Sequence, residues 1–184
     1  MSNLLSLGEC DVILGETLEF LRKNWLNSDT GIVACCIVDG DKKAFATSSR
    51  NVPFWKHAEK NAYLEFKKLY ASEPSPSAIF VVTLSPCLSD LKYRQEESCS
   101  ALLQQLGVKR IHFGVLDKMH ADSLEQYYQI GLSPSLSEQG SYQMICEKLM
   151  GLFAQYHSRI NSDLIGIKKE LGSSFFRELD EKLF

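Results

Sequence analysis

Four side chains of this 184-residue chain have types and positions that suit one chemistry: His57, Glu59, Cys87 and Cys99. An imidazole and two thiolates are three of the four ligands of a zinc ion whose last position stays open to water. Zinc held in this way lowers the pKa of that water to about 7 and so makes hydroxide near neutral pH. A carboxylate that is not itself a ligand then moves the proton. Together such groups add water to an amidine-like carbon and expel ammonia, a hydrolytic deamination. His57, Cys87 and Cys99 fit the zinc ligands, and Glu59 fits the general acid and base.

The elements must place these groups at one point. In the middle of a helix, residues i and i+2 diverge too far to serve one small site. In the first turn, both reach an atom lying just beyond the helix end. His57 and Glu59 stand at the start of a helix predicted from about His57 to Tyr70, directly after a loop, Ser49 to Trp55. Cys87 follows the strongest predicted strand, Ala78 to Leu84, after a Ser85-Pro86 break. Cys99 opens a helix that Gly107 stops. Helix N-termini favour the thiolate that zinc requires.

Elsewhere, Glu9 to Trp25 has the periodicity of an amphipathic helix. Gly31 to Val38 is a continuous apolar strand, Asp39-Gly40-Asp41 a turn, and Lys43 to Ser48 a returning strand. Cys35 and Cys36 should face opposite sides of the sheet. Arg110 to Leu116 reads as a fourth strand, and Asp122 to Ile130 as a helix ending at Gly131. This alternation predicts a three-layer α/β/α sandwich with a mixed, about five-stranded sheet, parallel in its later strands. Residues 1–140 form that domain and 141–184 a helical extension. In the extension Ile145, Leu149, Leu152, Tyr156, Ile160, Leu164, Ile167 and Leu171 make one apolar stripe, with breaks expected near Gly151 or Gly166. Phe175, Phe176, Leu179 and Leu183 continue the theme. The stripe either covers the sheet or mediates self-association.

Composition narrows the partners. Apolar residues make up 45% and charged residues 23%, the balance of a globular protein. A net charge of −3 offers no long-range attraction to nucleic acid or anionic lipid. No apolar run nears the roughly 20 residues needed to cross a bilayer. The first twenty residues lack a basic signal-peptide region, so a cytoplasmic, reducing setting is expected. In that setting the six cysteines are core fillers or ligands sooner than disulfides. Lys42-Lys43, Lys67-Lys68 and Lys168-Lys169 read as solvated pairs, and His112 and His120 as structural.

The words around the site carry a resemblance. His57-Ala58-Glu59, followed by Thr83-Leu84-Ser85-Pro86-Cys87, resembles the cytidine deaminase superfamily, whose signature is His-x-Glu then Pro-Cys-x-x-Cys. His57-Ala58-Glu59-Lys60-Asn61-Ala62 is similar to the matching segment of deoxycytidylate deaminases. Cys99, with Gly107 eight residues on and Val108-Lys109-Arg110 leading into a strand, keeps the register of the helix after the second cysteine. The resemblance spans about residues 10 to 132 and implies bound Zn2+. It also implies a substrate asparagine at Asn51, with further substrate contacts expected from Ala58, Ser85 and Trp55. Phe54 and Trp55 suit either a stacking wall for a base or plain packing.

One departure is plain. Eleven residues, Leu88 to Ser98, separate the two cysteines instead of two, and Asp90 stands where the second cysteine belongs. Either Cys99 remains the ligand behind an insertion, or Asp90 ligates; the register after Cys99 favours Cys99. The expected activity is zinc-dependent deamination of a cytosine-type base, nucleoside or nucleotide by a homodimer or larger oligomer. The long inter-cysteine loop also resembles riboflavin-pathway aminopyrimidine deaminases. A nucleic-acid-directed deaminase and an inactive deaminase-fold interaction protein compete with both.

Overall fold

A computed structural model describes residues 5–27, 30–49, 57–88, 97–118, 121–157 and 164–181. Helix α1 runs Leu7–Lys23, started by a capping box in which the Ser6 side chain accepts from Glu9 N and Glu9 reaches back to Ser6. Strands β1 (Thr30–Asp39) and β2 (Lys42–Ser49) form a hairpin, and α2 (Ala58–Tyr70) follows. Then come β3 (Ile79–Leu84), α3 (Cys99–Gln105), β4 (Arg110–Val115), α4 (Glu125–Gln129) and β5 (Ser133–Leu136). Helices α5 (Gly140–His157) and α6 (Leu164–Leu171), a 3-10 turn (Ser173–Phe176) and α7 (Arg177–Asp180) end the described chain.

The sheet order is β2-β1-β3-β4-β5. Strand β1 is antiparallel to both β2 and β3, while β3, β4 and β5 run parallel. This is the expected mixed α/β/α sandwich, but its fifth strand has no signal in the residue pattern. Ser133-Pro134-Ser135-Leu136 has neither length nor β-branched residues, and only the open edge of β4 makes it a strand. The helix expected at 122–130 is correspondingly shorter.

Two cores lie on the two sheet faces. On one, Ile13, Leu14, Leu18 and Leu21 of α1 meet Ile145, Cys146 and Leu149 of α5 over Cys36, Val38, Ile79 and Val81. On the other, Ala58, Ala62 and Phe66 of α2, Leu103 of α3 and Tyr127 of α4 cover Cys35, Ile37, Phe80 and Val82. Cys35 and Cys36 therefore do face opposite ways. Gly114 in β4 lets α5 settle on the sheet, because a Cβ there would lie 2.9 Å from Cβ of Cys146. The apolar stripe is turned inward at Ile145, Leu149, Leu152 and Leu164. The helices run through Gly151 and Gly166 without a break. Tyr156 and Ile160 have side chains outside the described set. No described helix is long and apolar enough to cross a membrane.

Two sequence expectations change. Lys168 is not solvated: it is 1% exposed. His112 is structural, as expected, but it has partners (His120 lies outside the described residues). Its Nε2 lies 3.0 Å from Asp11 Oδ1 on α1, and its Nδ1 2.9 Å from Ser135 Oγ on β5. Burial pushes the His112 pKa down against the opposing pull of Asp11. The folded state thus holds the neutral ring, and the unfolded chain binds a proton more readily below its ordinary pKa of about 6.5. Stability contributed here is present above that pH and lost as the pH falls. The denaturation midpoint of the wild type should drop between pH 7 and pH 5, and His112→Gln should show a smaller drop over that range.

Candidate metal centre

His57 is the N-cap of α2, with extended backbone (φ −66°, ψ 152°), and its side chain makes no capping bond. Its carbonyl accepts the Asn61 N–H at 3.1 Å and starts the helix, which leaves the ring free to face away from it. Glu59 follows in the first turn and is 3% exposed. Cys87 lies just past β3. Cys99 is the first residue of α3, whose N-cap Ser98 accepts the Ala101 N–H at 3.2 Å. Three element ends therefore converge: the starts of α2 and α3 and the exit of β3.

Nδ1 of His57 lies 3.3 Å from Cys99 Sγ and 3.7 Å from Cys87 Sγ. All three donor atoms lie within 4.8 Å of one another. Bond lengths of about 2.3 Å to sulfur and 2.0–2.1 Å to nitrogen in a tetrahedron place donors about 3.5–3.8 Å apart, so the set fits zinc. Among the described residues this is the one His/Cys/Asp/Glu group with metal-holding geometry. Asp90, the alternative ligand, lies outside the described residues, as do Asn51 and Trp55.

The electrostatics suit a metal. The Cys99 thiol and the His57 ring hold the Cys87 thiol down, to about 4, against burial. Cys99 moves the other way, raised by its bond to the Cys87 sulfur and by burial. Two buried sulfurs this close cannot both ionise without a cation between them. Burial alone would lower the His57 pKa, but Cys87 and Glu59 outweigh it and raise it. Burial pushes Glu59 up, with His57 opposing.

The structure also shows why eleven residues between the cysteines leave the centre intact. The N–H of Cys99 donates to Cys87 Sγ at 3.2 Å and that of Ser100 to the Cys87 carbonyl at 3.2 Å. The Ser100 hydroxyl donates to the Leu88 carbonyl at 3.2 Å. The two feet of the insertion are bonded to each other, so residues between them can vary in number.

A second support comes from residues around the β3 exit. The Ser85 N–H donates to the Val115 carbonyl at 3.0 Å, and the Ser85 hydroxyl accepts the Asp117 N–H at 2.9 Å. Ser85 is 5% exposed. Its placement ties the β3 exit to the end of β4. Tyr127 on α4, fully buried, donates its hydroxyl to the Pro86 carbonyl at 2.6 Å, one residue before Cys87. Nothing in the spacing around Tyr127 announces this. Ser98, a serine directly before a helix start, carries a cap signal that is legible in the sequence. Ala58 is buried beneath the start of α2.

Residues 14–115, more than half of the chain, match the cytidine and deoxycytidylate deaminase zinc-binding region. The chain belongs to that family, and His57, Cys87 and Cys99 are positioned to hold a metal ion. Solved structures carry the same fold. One is the diaminohydroxyphosphoribosylaminopyrimidine deaminase/5-amino-6-(5-phosphoribosylamino)uracil reductase of Thermotoga maritima, at 21% identity and TM-score 0.56, aligned over 79% of this chain and 41% of that one. A second is the cyanophage S-TIM5 dCMP deaminase in complex with dCMP and dUMP, at 18% and 0.51, over 72% and 98%. A third is the Aspergillus oryzae Rib2 deaminase in complex with DARIPP, at 13% and 0.52, over 77% and 96%. The chain thus spans about two fifths of the deaminase/reductase and nearly all of the cyanophage enzyme and of the C-terminally truncated Rib2 deaminase. No curated protein matches it by sequence.

Metal analysis of the purified chain should give about one zinc, with Cys99→Ala losing it and Asp90→Ala retaining it. Tyr127→Phe keeps the ring and removes the hydroxyl that bonds Pro86 and Ser85. It should weaken zinc roughly 10-fold in competition with a chromophoric chelator, the lower end of what outer-shell partners contribute. Unchanged competition would place Tyr127 outside the support of the metal site.

Proposed function

We propose that the chain is a zinc-dependent hydrolytic deaminase of a cytosine-type base, nucleoside or nucleotide, releasing ammonia. The observation that carries this reading is Glu59, a buried carboxylate two residues from an imidazole that shares tetrahedral spacing with two sulfurs. Zinc in this donor set supplies a water acidic enough to give hydroxide at neutral pH.

The chain's own groups do the rest. Glu59 has no stable role as a buried anion, and its raised pKa brings it toward the range in which a carboxyl both takes and gives a proton. It collects the proton lost by the attacking water and hands it to the ring nitrogen. It then takes the remaining proton of the added hydroxyl and gives it to the exocyclic amine as the carbon–nitrogen bond breaks and the carbonyl forms. The balance is one water consumed and one ammonia released. Asn51, Ala58, Ser85 and Trp55 stand as the proposed substrate contacts. Ser85 would act through its placement of the β3 exit, because its hydroxyl is already engaged by Asp117. A homodimer or larger assembly belongs to the same reading.

A second reading, deamination of a riboflavin-pathway aminopyrimidine, is supported by the long inter-cysteine segment and by the likeness in fold to two enzymes of that chemistry. Ammonia release should be screened over cytosine, cytidine, deoxycytidylate, guanine, adenosine and the riboflavin intermediate. Turnover of a cytosine compound supports the first reading, and turnover of the riboflavin intermediate alone supports the second. Glu59→Gln should retain zinc and lose about 10²–10⁴-fold in the rate of ammonia release. Retained turnover would remove Glu59 from the mechanism.

A further inference from the structure

We infer that Lys168, on the C-terminal extension, is a positioning residue for the metal-bearing start of α2, acting through a bulge at the beginning of β1. The extension lies outside the family match, which ends at residue 115. Its functional consequence rests on the deaminase reading of His57 and Glu59; the structural coupling does not.

The coupling begins with a buried cation. Lys168 Nζ donates to the Thr30 carbonyl at 2.7 Å and to the Gly31 carbonyl at 2.9 Å, and it sits 4.8 Å above the Trp25 ring. Trp25 in turn donates its Nε1–H to the Lys168 carbonyl at 3.0 Å, so each residue holds the other. Phe175 stacks on the same indole at 5.1 Å and Phe176 meets its edge at 5.1 Å. An ammonium so enclosed is justified only by carbonyls that need a donor.

Those carbonyls exist because β1 is irregular there. Thr30 pairs with Ser49 and Ala34 with Thr47, with a register shift between them. A bulge takes residues out of the ladder and leaves backbone groups to be satisfied elsewhere. The Val33 N–H is satisfied by the Ser48 hydroxyl at 3.2 Å. The close pass of β2 also requires glycine at position 31, since a Cβ there would lie 2.8 Å from the Ser48 carbonyl oxygen.

The opposite side of this irregular ladder is where α2 is fastened. Asn61 Nδ2 donates to the Thr47 carbonyl at 2.8 Å and to the Ser49 hydroxyl at 3.3 Å. Asn61 sits one turn beyond His57, whose carbonyl accepts its N–H. A continuous set of bonds therefore runs from α6 through Thr30–Gly31 and Thr47–Ser49 to the first turn of α2. The extension shapes the frame against which a zinc ligand and the proton shuttle are held.

The test uses the zinc-loaded full chain and follows backbone hydrogen exchange by peptide. Lys168→Met should accelerate exchange about tenfold over 30–34, 44–49 and 57–62, while leaving 79–84 and 110–115 unchanged. Zinc transfer to a chelator should quicken by a similar factor. Asn61→Ala should reproduce the change over 57–62 and in zinc transfer without affecting 164–171. In the double variant the zinc effect should match the larger single effect instead of their product. Lys168→Arg, which keeps a cationic donor, should recover most of the protection.

A Lys168→Met effect confined to 164–171 and 30–31, or uniform over all peptides, would overturn the inference, as would multiplicative effects in the double variant. If Lys168→Met does not fold, Trp25→Phe keeps an aromatic ring but removes the bond to the Lys168 carbonyl and the indole beneath the ammonium, and must show the same pattern. Its absence would count against the proposal. These readouts need no turnover. A chain that shows the pattern but releases no ammonia from cytosine, cytidine or deoxycytidylate upholds the coupling while defeating the substrate reading.

Discussion

Two sulfurs and an imidazole nitrogen are confined in the interior, and the Cys87 thiol is pushed toward its thiolate form by Cys99 and His57. A buried anion of this kind is costly unless donors and positive charge surround it. Here the Cys99 N–H at the start of α3 and the His57 ring meet the Cys87 sulfur directly. The chain belongs to a family defined by its zinc-binding region, and these three donors are placed where a cation would relieve the charge that remains. The position of every neighbouring element is set by the need to bring two helix starts and a strand exit to one place.

The sheet makes that convergence possible. Parallel pairing of β3 with β4 puts both C-terminal ends on one edge, where Ser85 is bonded to Val115 and to Asp117. Helices α2, α3 and α4 occupy the same face and supply His57, Glu59, Cys99 and the Tyr127 hydroxyl. The opposite face is given to α1 and α5, which bury aliphatic side chains and the Asp11–His112–Ser135 set. Chemistry and bulk stability are thus divided between the two sides of one sheet. Lys168 meets the sheet at the start of β1, where that strand is bulged.

The inter-cysteine segment illustrates how a metal site tolerates sequence drift. The signature spacing of two residues keeps the second cysteine in the first turn of a helix. Here the same outcome is reached by closing the insertion at its base, through Cys87, Leu88 and Ser100. Loop closure costs only slowly more as residues are added. The number of residues between the ligands is therefore less informative than the helix, Gly107 and strand that come after Cys99.

Much of the site was legible in the sequence because its logic is local. His57 and Glu59 precede a helical period, Cys87 comes after an apolar strand, and Cys99 opens a segment with Gly107 in a left-handed conformation at its end. Such signals lie within a turn or two of the residue they place. Tyr127, His112 and Lys168 act across tens of residues, and no local pattern marks them. Lys168 resembles any solvated lysine until Thr30 and Gly31 are seen to need a donor, and Ser133–Leu136 resembles a loop until β4 offers an edge. The residue types determined which metal the site suits. Only the packing of distant elements decided what holds those residues, because burial and unsatisfied backbone groups are properties of the assembled sheet and not of any segment.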